Sequence, residues 1–352
     1  MTALCAHFGT CGGCTHQDIP DTDYRALKRG IVLGALSRHG IETELDDVIE
    51  VPPGTRRRAT LKAKRTADGV QLGFHAARTH SIVDLQECLV LTPGLTALLP
   101  GLREMLGALL FSNEDAELRL CESDTGNDLG LRWRRPNDAP TIAALARWAD
   151  RLGLARISAH GETVVSQGTP SVRLGKAMVE VPPEVFLQPT REGERTLQSF
   201  VREVLAGAGR VADLFSGCGT FTFPLAEAAR VHAVEIDGAM LGAIAAAAKK
   251  TSGLKPVTTE KRNLFKRPLS ETELNAFDGI CLDPPRAGAL EQAHELARAN
   301  VPRAAYVSCD AETFARDARV LVDGGYRLSR VVPVDQFLWS SHIELAGSFE
   351  RA

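Results

Sequence analysis

Hydrophobic positions recur along this chain with two different periods, and the changes between them mark out three zones. In residues 22–38, Tyr24, Leu27, Ile31 and Ala35 fall at helical spacing with Val32 beside them, which predicts an amphipathic helix. From about 56 to 83 the period shortens, and ATLKAKR and VQLGFHA read as strands around the turn signal Asp68-Gly69. LTPGLTALLPGLREMLGAL then predicts a turn and helix, and LRLCESDTGNDLGLRWRRP two strands around a polar loop. The helix TIAALARWADRLG and the strands ARISAHGETVVS and SVRLGKAMVEVP complete a small α+β lobe.

After about residue 195 strands and helices alternate. The helix TLQSFVREVLAGA precedes the strand RVADLF, the turn SGCGT, an apolar helical run and the strand VHAVEID. An alanine-rich helix at 240–250, FDGICLD, a helix after Gly288, AAYVSC, ETFARDARVLVDGG and two final strands near 327–334 and 342–349 follow. This order predicts an α/β fold with a mostly parallel, doubly wound sheet. The expected units are 1–90, 91–194 and 195–352.

Composition narrows the setting. With 352 residues, 44% of them hydrophobic, the chain can bury a large core, and its formal net charge of −3 does not suggest a general nucleic-acid binder. No apolar run approaches the roughly 20 residues that span a bilayer, and no secretory signal is evident, so a cytoplasmic protein with no membrane partner is expected. Charge is nevertheless uneven: Gly54 to His80 holds seven Arg or Lys against one acidic residue, a net of +6. That segment suits either a phosphate backbone or a solvated hairpin. Trp133 among Arg132, Arg134 and Arg135 suits stacking on a base, although packing under a basic surface is the commoner arrangement.

Cysteine usage is the next constraint. The eight cysteines lie at 5, 11, 14, 88, 121, 218, 281 and 309, and in a reducing compartment clustering points to metal or catalysis rather than disulfides. Cys5, Cys11 and Cys14 form C-x5-C-x2-C, with Cys88 as a fourth soft ligand; the spacing alone admits zinc or iron–sulfur.

The strand-to-helix turns carry further chemistry. Gly217 and Gly219 leave room for a ligand after a buried strand, and Glu235 at the next strand end can accept ribose hydroxyls. This suits an adenosine without a pyrophosphate better than a dinucleotide; Asp237 reads as a helix cap. Asp283 in LDPPRAG can orient a ligand, and Arg286 can face a phosphate or a developing oxyanion. Cys309 ends an inner strand between Ser308 and Asp310, a setting for a reactive thiolate. Glu344 stands in an apolar terminal strand, where burial suits it to proton transfer; His342, two residues away, reads as a packed, hydrogen-bonded histidine.

The ordered set CAHFGTCGGC with distant Cys88, FLQ at 186–188, DLFSGCGTF, VEID, LDPPRAG, VSCDAETFARD and DQFLWSSHIE resembles the RNA uracil-5-methyltransferase family over almost the whole chain. The resemblance implies a class I S-adenosylmethionine-dependent methyltransferase fold with an N-terminal [4Fe-4S] region on Cys5, Cys11, Cys14 and Cys88 and a central RNA-recognition lobe. It implies a nucleophile at Cys309, a proton-abstracting base at Glu344, and cofactor contacts at Gln188, Phe215, Glu235 and Asp283. The chain has no room for the extra RNA-binding barrel of larger members, so it resembles the short, monomeric architecture, with 23S ribosomal RNA as the implied substrate and transfer RNA as the alternative. Methylation of another nucleic-acid atom and noncatalytic RNA binding are competing readings. Compared with the family pattern, Asp310 and Thr190 replace asparagine, Asn263 replaces aspartate, and Leu338 and Ser340 replace proline and threonine.

Overall fold

Short apolar runs such as VADL and GICL become strands covered on both faces because flanking helices pack over them. The computed structural model describes residues 4–351. Along the chain come α1 (Asp21–Arg38), β1 (Ile49–Glu50), β2 (Arg58–Thr66), β3 (Gly69–Gly73), α2 (Pro93–Leu109), β4 (Asp115–Glu122), β5 (Asn127–Arg132), α3 (Ala139–Leu152), β6 (Leu154–Ala159) and β7 (Glu162–Ser166). The hairpin β8 (Ser171–Leu174) and β9 (Ala177–Glu180) leads to α4 (Arg191–Val204). Then follow β10 (Arg210–Leu214), α5 (Thr222–Ala226), β11 (Arg230–Glu235), α6 (Gly238–Lys250), β12 (Val257–Lys261), α7 (Glu271–Leu274) and β13 (Gly279–Leu282). The chain ends with α8 (Leu290–Arg298), β14 (Arg303–Ser308), α9 (Ala311–Asp323), β15 (Tyr326–Asp335) and β16 (Glu344–Arg351).

One sheet has eight strands in the order β1-β15-β16-β14-β13-β10-β11-β12. Its centre is parallel, and β16 inserts antiparallel between β14 and β15. Chain order reverses between β10 and β13, which opens the crevice where doubly wound sheets gather ligands at their strand C-termini. This is a Rossmann-like, doubly wound architecture, as the alternation of strands and helices predicts.

A second sheet, β3-β2-β4-β5-β6-β7, joins residues on both sides of position 90 and packs a leucine-rich core with α2 and α3. Residues 21–50 go elsewhere. Helix α1 shares a core with the eight-stranded sheet, and β1 pairs with β15. The buried face of α1 differs from the predicted stripe: Tyr24, Lys28, Val32, Ala35 and Leu36 face inward, while Leu27 and Ile31 are only half-buried. A lysine occupies the stripe's centre because Asp335 neutralises it at 2.8 Å. Among the described residues no helix is long and apolar enough to cross a membrane.

Candidate active site

The end of the site expected to hold the methyl donor is built where β10 meets α5. Phe215, Gly217 and Gly219 have positive φ, and a Cβ on Gly219 would come within 2.7 Å of the Phe223 ring, so only glycine fits there. The Glu235 carboxylate accepts from Gly217 N at 3.1 Å, Ile236 N at 2.7 Å and Asp237 N at 3.1 Å. It is thereby fixed beside the glycine loop. Asp237 caps α6 by accepting from Ala239 N at 2.7 Å, as its position predicts.

Apolar walls flank this acid. Ile236 and Phe265 are exposed, and Phe265 lies 5.4 Å from Phe215, ring centre to ring centre. Ser216 Oγ is buried without a partner, a polar atom left for a ligand. An adenosine suits this combination of carboxylate, apolar walls and orphaned hydroxyl. Beneath it Asp213, which the sequence reading did not single out, accepts from the Thr222 hydroxyl at 2.5 Å, and burial pushes its carboxyl up to about 7.

The reacting end is set by register. Ser308 pairs with Leu345 on β16, so Cys309 follows at the strand end beside Glu344, while Val334 pairs with Glu344 from the other side. Glu344 is only 3% exposed; burial pushes its carboxyl up to about 7, against the opposing hydrogen bond from Gln336. At Cys309, where a reactive thiolate is expected, the surroundings favour the thiol. Burial, then the Glu344 and Asp283 carboxyls, push its thiol up to about 12, with Arg286 acting the other way. At rest the group is therefore a thiol. Asp283 is likewise raised well above the carboxylate range by burial and by Glu344 and Asp213.

Two amides connect the carboxyls. Gln188 Nε2 donates to Asp283 Oδ2 at 3.3 Å, and Gln336 Nε2 donates to Gln188 Oε1 at 2.8 Å and to Glu344 Oε2 at 3.0 Å. The structure thus brings together Gln188, Asp283, Cys309 and Glu344, with Gln336 added. The only sequence signal of Gln336 is its place as the polar residue inside DQF at the end of an apolar strand.

Four of the five departures from the family pattern make local contacts, and nothing in the structure explains Leu338. Asp310 caps α9, accepting from Thr313 N at 3.1 Å, and pairs with the exposed Arg286 at 3.4 Å. Thr190 caps α4 through Gly193 N at 3.0 Å. Asn263 accepts from Phe265 N at 3.0 Å, which fixes the backbone turn that carries Phe265. Ser340 Oγ bonds Phe337 O at 2.7 Å and accepts from His342 N, bracing the loop before Glu344. His342 differs from expectation: it is exposed, its ring edge-on to Phe337 at 6.1 Å.

Much of the basic segment is used inside the protein. Arg57 is buried, pairing with Glu194 at 2.6 Å and donating to Gln188 O at 3.0 Å. Arg58 donates to Leu187 O at 3.2 Å and lies 4.2 Å from the ring of Phe186, which is 55% exposed. These two arginines therefore shape the extended FLQ segment before α4 instead of meeting a phosphate. Trp133 packs in the core of the six-stranded sheet, 7% exposed, so it offers no stacking face. Lys64, Arg134, His80 and His160 remain exposed around a groove of about 760 Å³ on that sheet.

Cys5, Cys11, Cys14 and Cys88 line a single cavity of about 350 Å³. Burial and the neighbouring thiols push Cys14 up to about 11, and burial also raises Cys11 and Cys88. The donor chemistry is that of a soft-metal site. Even so, among the described residues no three His, Cys, Asp or Glu side chains converge into a closed ligand set. The loop is tied to the six-stranded lobe by Gly12 N to His75 O at 3.0 Å and Gln86 N to His7 Nε2 at 2.9 Å. On its other side Thr15 N and His16 N both donate to Trp339 O, at 2.6 and 3.0 Å, in the loop before Glu344.

Comparison with known proteins agrees with this geometry. The tRNA (Uracil-5-)-methyltransferase family model matches residues 167–351. A protein of Rhizobium meliloti (strain 1021) named as an uncharacterized RNA methyltransferase is 42% identical over 353 residues, covering 99% of this chain and 85% of that protein. The 23S rRNA (uracil(1939)-C(5))-methyltransferase RlmD of Salmonella paratyphi A is 33% identical over 362 residues, covering 99% and 82%. The Pyrococcus abyssi tRNA (uracil-54, C5)-methyltransferase, solved with S-adenosyl-L-homocysteine, shares the fold with a TM-score of 0.74 at 24% identity, covering 96% of this chain and 85% of that one. The strand-end geometry, the match over the C-terminal half and the full-length relatives converge: the chain belongs to the tRNA (uracil-5-)-methyltransferase family and is an RNA methyltransferase.

Proposed function

We propose that the protein transfers the methyl group of S-adenosylmethionine to C5 of a uridine in 23S ribosomal RNA through a covalent Cys309 adduct. The observation that carries this reading is the adjacency of Cys309 and Glu344 at the ends of β14 and β16, beside Asp283 at the sheet's switch point. The 23S target is supported by the RlmD relative.

Uracil C5 is a poor nucleophile until an electron pair enters the ring. Cys309, its proton lost to water, adds its sulfur to C6, and the C5=C6 pair moves toward C5 and the carbonyl oxygen. Arg286, exposed at the rim, can steady that oxygen. S-adenosylmethionine would supply a methyl group on a cationic sulfur, held at the glycine loop by Glu235, Phe215, Gln188 and Asp283; C5 takes that methyl carbon with its electron pair as the carbon–sulfur bond breaks, and the bond's pair stays on the donor sulfur, which leaves as a neutral thioether. Glu344 as carboxylate then takes the C5 proton; the C–H pair becomes the new C5=C6 bond, and the C6–S bond breaks to return the Cys309 thiolate. The target base must leave its stack to reach this crevice, and Phe186 under Arg58 offers an exposed ring near the entrance.

Labelled S-adenosylmethionine and RNA from cells lacking the protein test the reaction. Label in a 23S uridine supports the reading, label confined to transfer RNA moves the substrate, and no transfer by the holo-protein rejects it. Glu344→Gln is expected to stall after methyl transfer as a denaturation-stable protein–RNA adduct.

We also propose that Cys5, Cys11, Cys14 and Cys88 hold a [4Fe-4S] cluster. Their shared cavity and thiol-only donor set support this. Iron and sulfide after anaerobic purification would bear it out; stoichiometric zinc without iron would overturn it.

A further inference from the structure

Gln336 lies where β15 ends, and its side chain is 2% exposed. Its amide NH2 bridges two acceptors, Glu344 Oε2 and Gln188 Oε1. Its oxygen has no hydrogen-bond partner and points at Gly193, where an added Cβ would sit 2.5 Å away. Gly193 belongs to the first turn of α4, whose partial positive charge favours an oxygen there. The reversed amide would set its oxygen against two other acceptors, so surroundings dictate which end faces the carboxylate. One side chain therefore touches both the base and the residue that contacts Asp283 at the methyl-donor end.

We propose that Gln336 is the positioning residue of the proton-removal step, holding the Glu344 carboxylate toward the target base and bracing it against Gln188. The inference rests on the assignment of Glu344 as the base. Gln336 does not touch the uracil ring in this role; it acts by fixing Glu344 in one attitude and in its ionised form. Glu344 is buried with Gln336 as its hydrogen-bond donor, so loss of that bond leaves a carboxylate both loose and harder to ionise.

Gln336→Met keeps length and volume but removes the donor, and Gly193→Ala displaces the amide without altering it. Both are measured on 23S ribosomal RNA carrying 5-tritiated uridine, isolated from cells lacking the protein. Formation of the denaturation-stable adduct reports addition and methyl transfer; tritium release reports proton removal. For Gln336→Met, release is expected to slow by about tenfold or more, the scale of one lost hydrogen bond to a charged group. Adduct formation is expected to stay within about threefold of the parent. The pH at half-maximal release should move up, because Gln336 favours the ionised carboxyl and only that form takes a proton. Gly193→Ala should shift the same readouts in the same direction. Equal slowing of both steps, or an unchanged pH midpoint, would overturn the inference. If Glu344→Gln stalls release but Gln336→Met does not, only the role of Gln336 fails; if Glu344→Gln releases tritium normally, the base assignment itself falls.

Discussion

The molecule half-buries thiols among other acidic groups in two places, and the two settings differ. At Cys309 the neighbours that raise the thiol are carboxyls, Glu344 and Asp283, with the Arg286 cation opposing. At Cys14 they are other thiols, Cys88, Cys11 and Cys5, with Gln17 opposing. Both environments disfavour a thiolate until positive charge arrives. Carboxyls with raised pKa can exchange protons, which suits a site visited briefly by a cationic methyl donor. A set of thiols without a base suits a resident soft metal. The proposed function thus assigns cysteine transient chemistry in one setting and an architectural role in the other.

The largest effect that tests this contrast is Cys309→Ala. Methyl transfer should fall by on the order of a thousandfold or more, as for loss of a covalent nucleophile, with donor binding and metal content unchanged. Cys88→Ser should give the reverse: metal is lost and the midpoint of thermal unfolding falls, while the pH dependence of residual turnover is retained. Radiolabel transfer, isothermal titration with S-adenosylhomocysteine and iron analysis on the same preparations separate the two. A Cys88→Ser protein that keeps its iron would break the comparison.

Lys28 joins the two environments and gives the next effect. Its ammonium donates to Asp335 Oδ1 at 2.8 Å, to Phe337 O at 3.3 Å and to His342 O, and Asp335 also accepts from Tyr24 at 2.5 Å. The pair is buried, so Lys28→Met leaves Asp335 without its cation and should cost about 3–5 kcal/mol of folding stability. Both methyl transfer and metal retention should fall, unlike in either cysteine variant. The double variant Lys28→Met/Asp335→Leu should recover much of the stability, read by chemical denaturation.

The fold and the site were not equally legible in the sequence. The alternation after residue 195, the Asp237 cap and the strand-end position of Cys309 rest on local patterns, and each is found where the pattern puts it. What stayed hidden depends on partners far along the chain. Periodicity reads Lys28 as polar because nothing local announces Asp335, 307 residues away. The +6 segment looks like an RNA contact until Arg57 is seen to meet Glu194, 137 residues away. Gln336 gains its meaning only when folding sets it between Gln188 and Glu344. The raised Cys309 thiol is hidden for the same reason: its sequence neighbours suggest polarity, while its spatial neighbours are two buried carboxyls.

The smallest of these effects concerns the cost of the catalytic half of the contrast. Burial raises the Glu344 carboxyl from an ordinary 4.5 to about 7. An acid whose pKa is raised on folding favours the native state fully below its unfolded pKa, and that contribution is lost as pH rises through the folded value. Between about pH 4.5 and 7 the parent should therefore lose stability that Glu344→Gln does not, by on the order of 3 kcal/mol at most, since one pKa unit corresponds to about 1.4 kcal/mol. Unfolding curves of the donor-free protein should converge for parent and variant near pH 4.5, with Glu344→Gln the more stable at pH 8. Parallel curves across that range would mean that Glu344 is ionised without penalty, and would remove it from the set of groups poised for proton transfer.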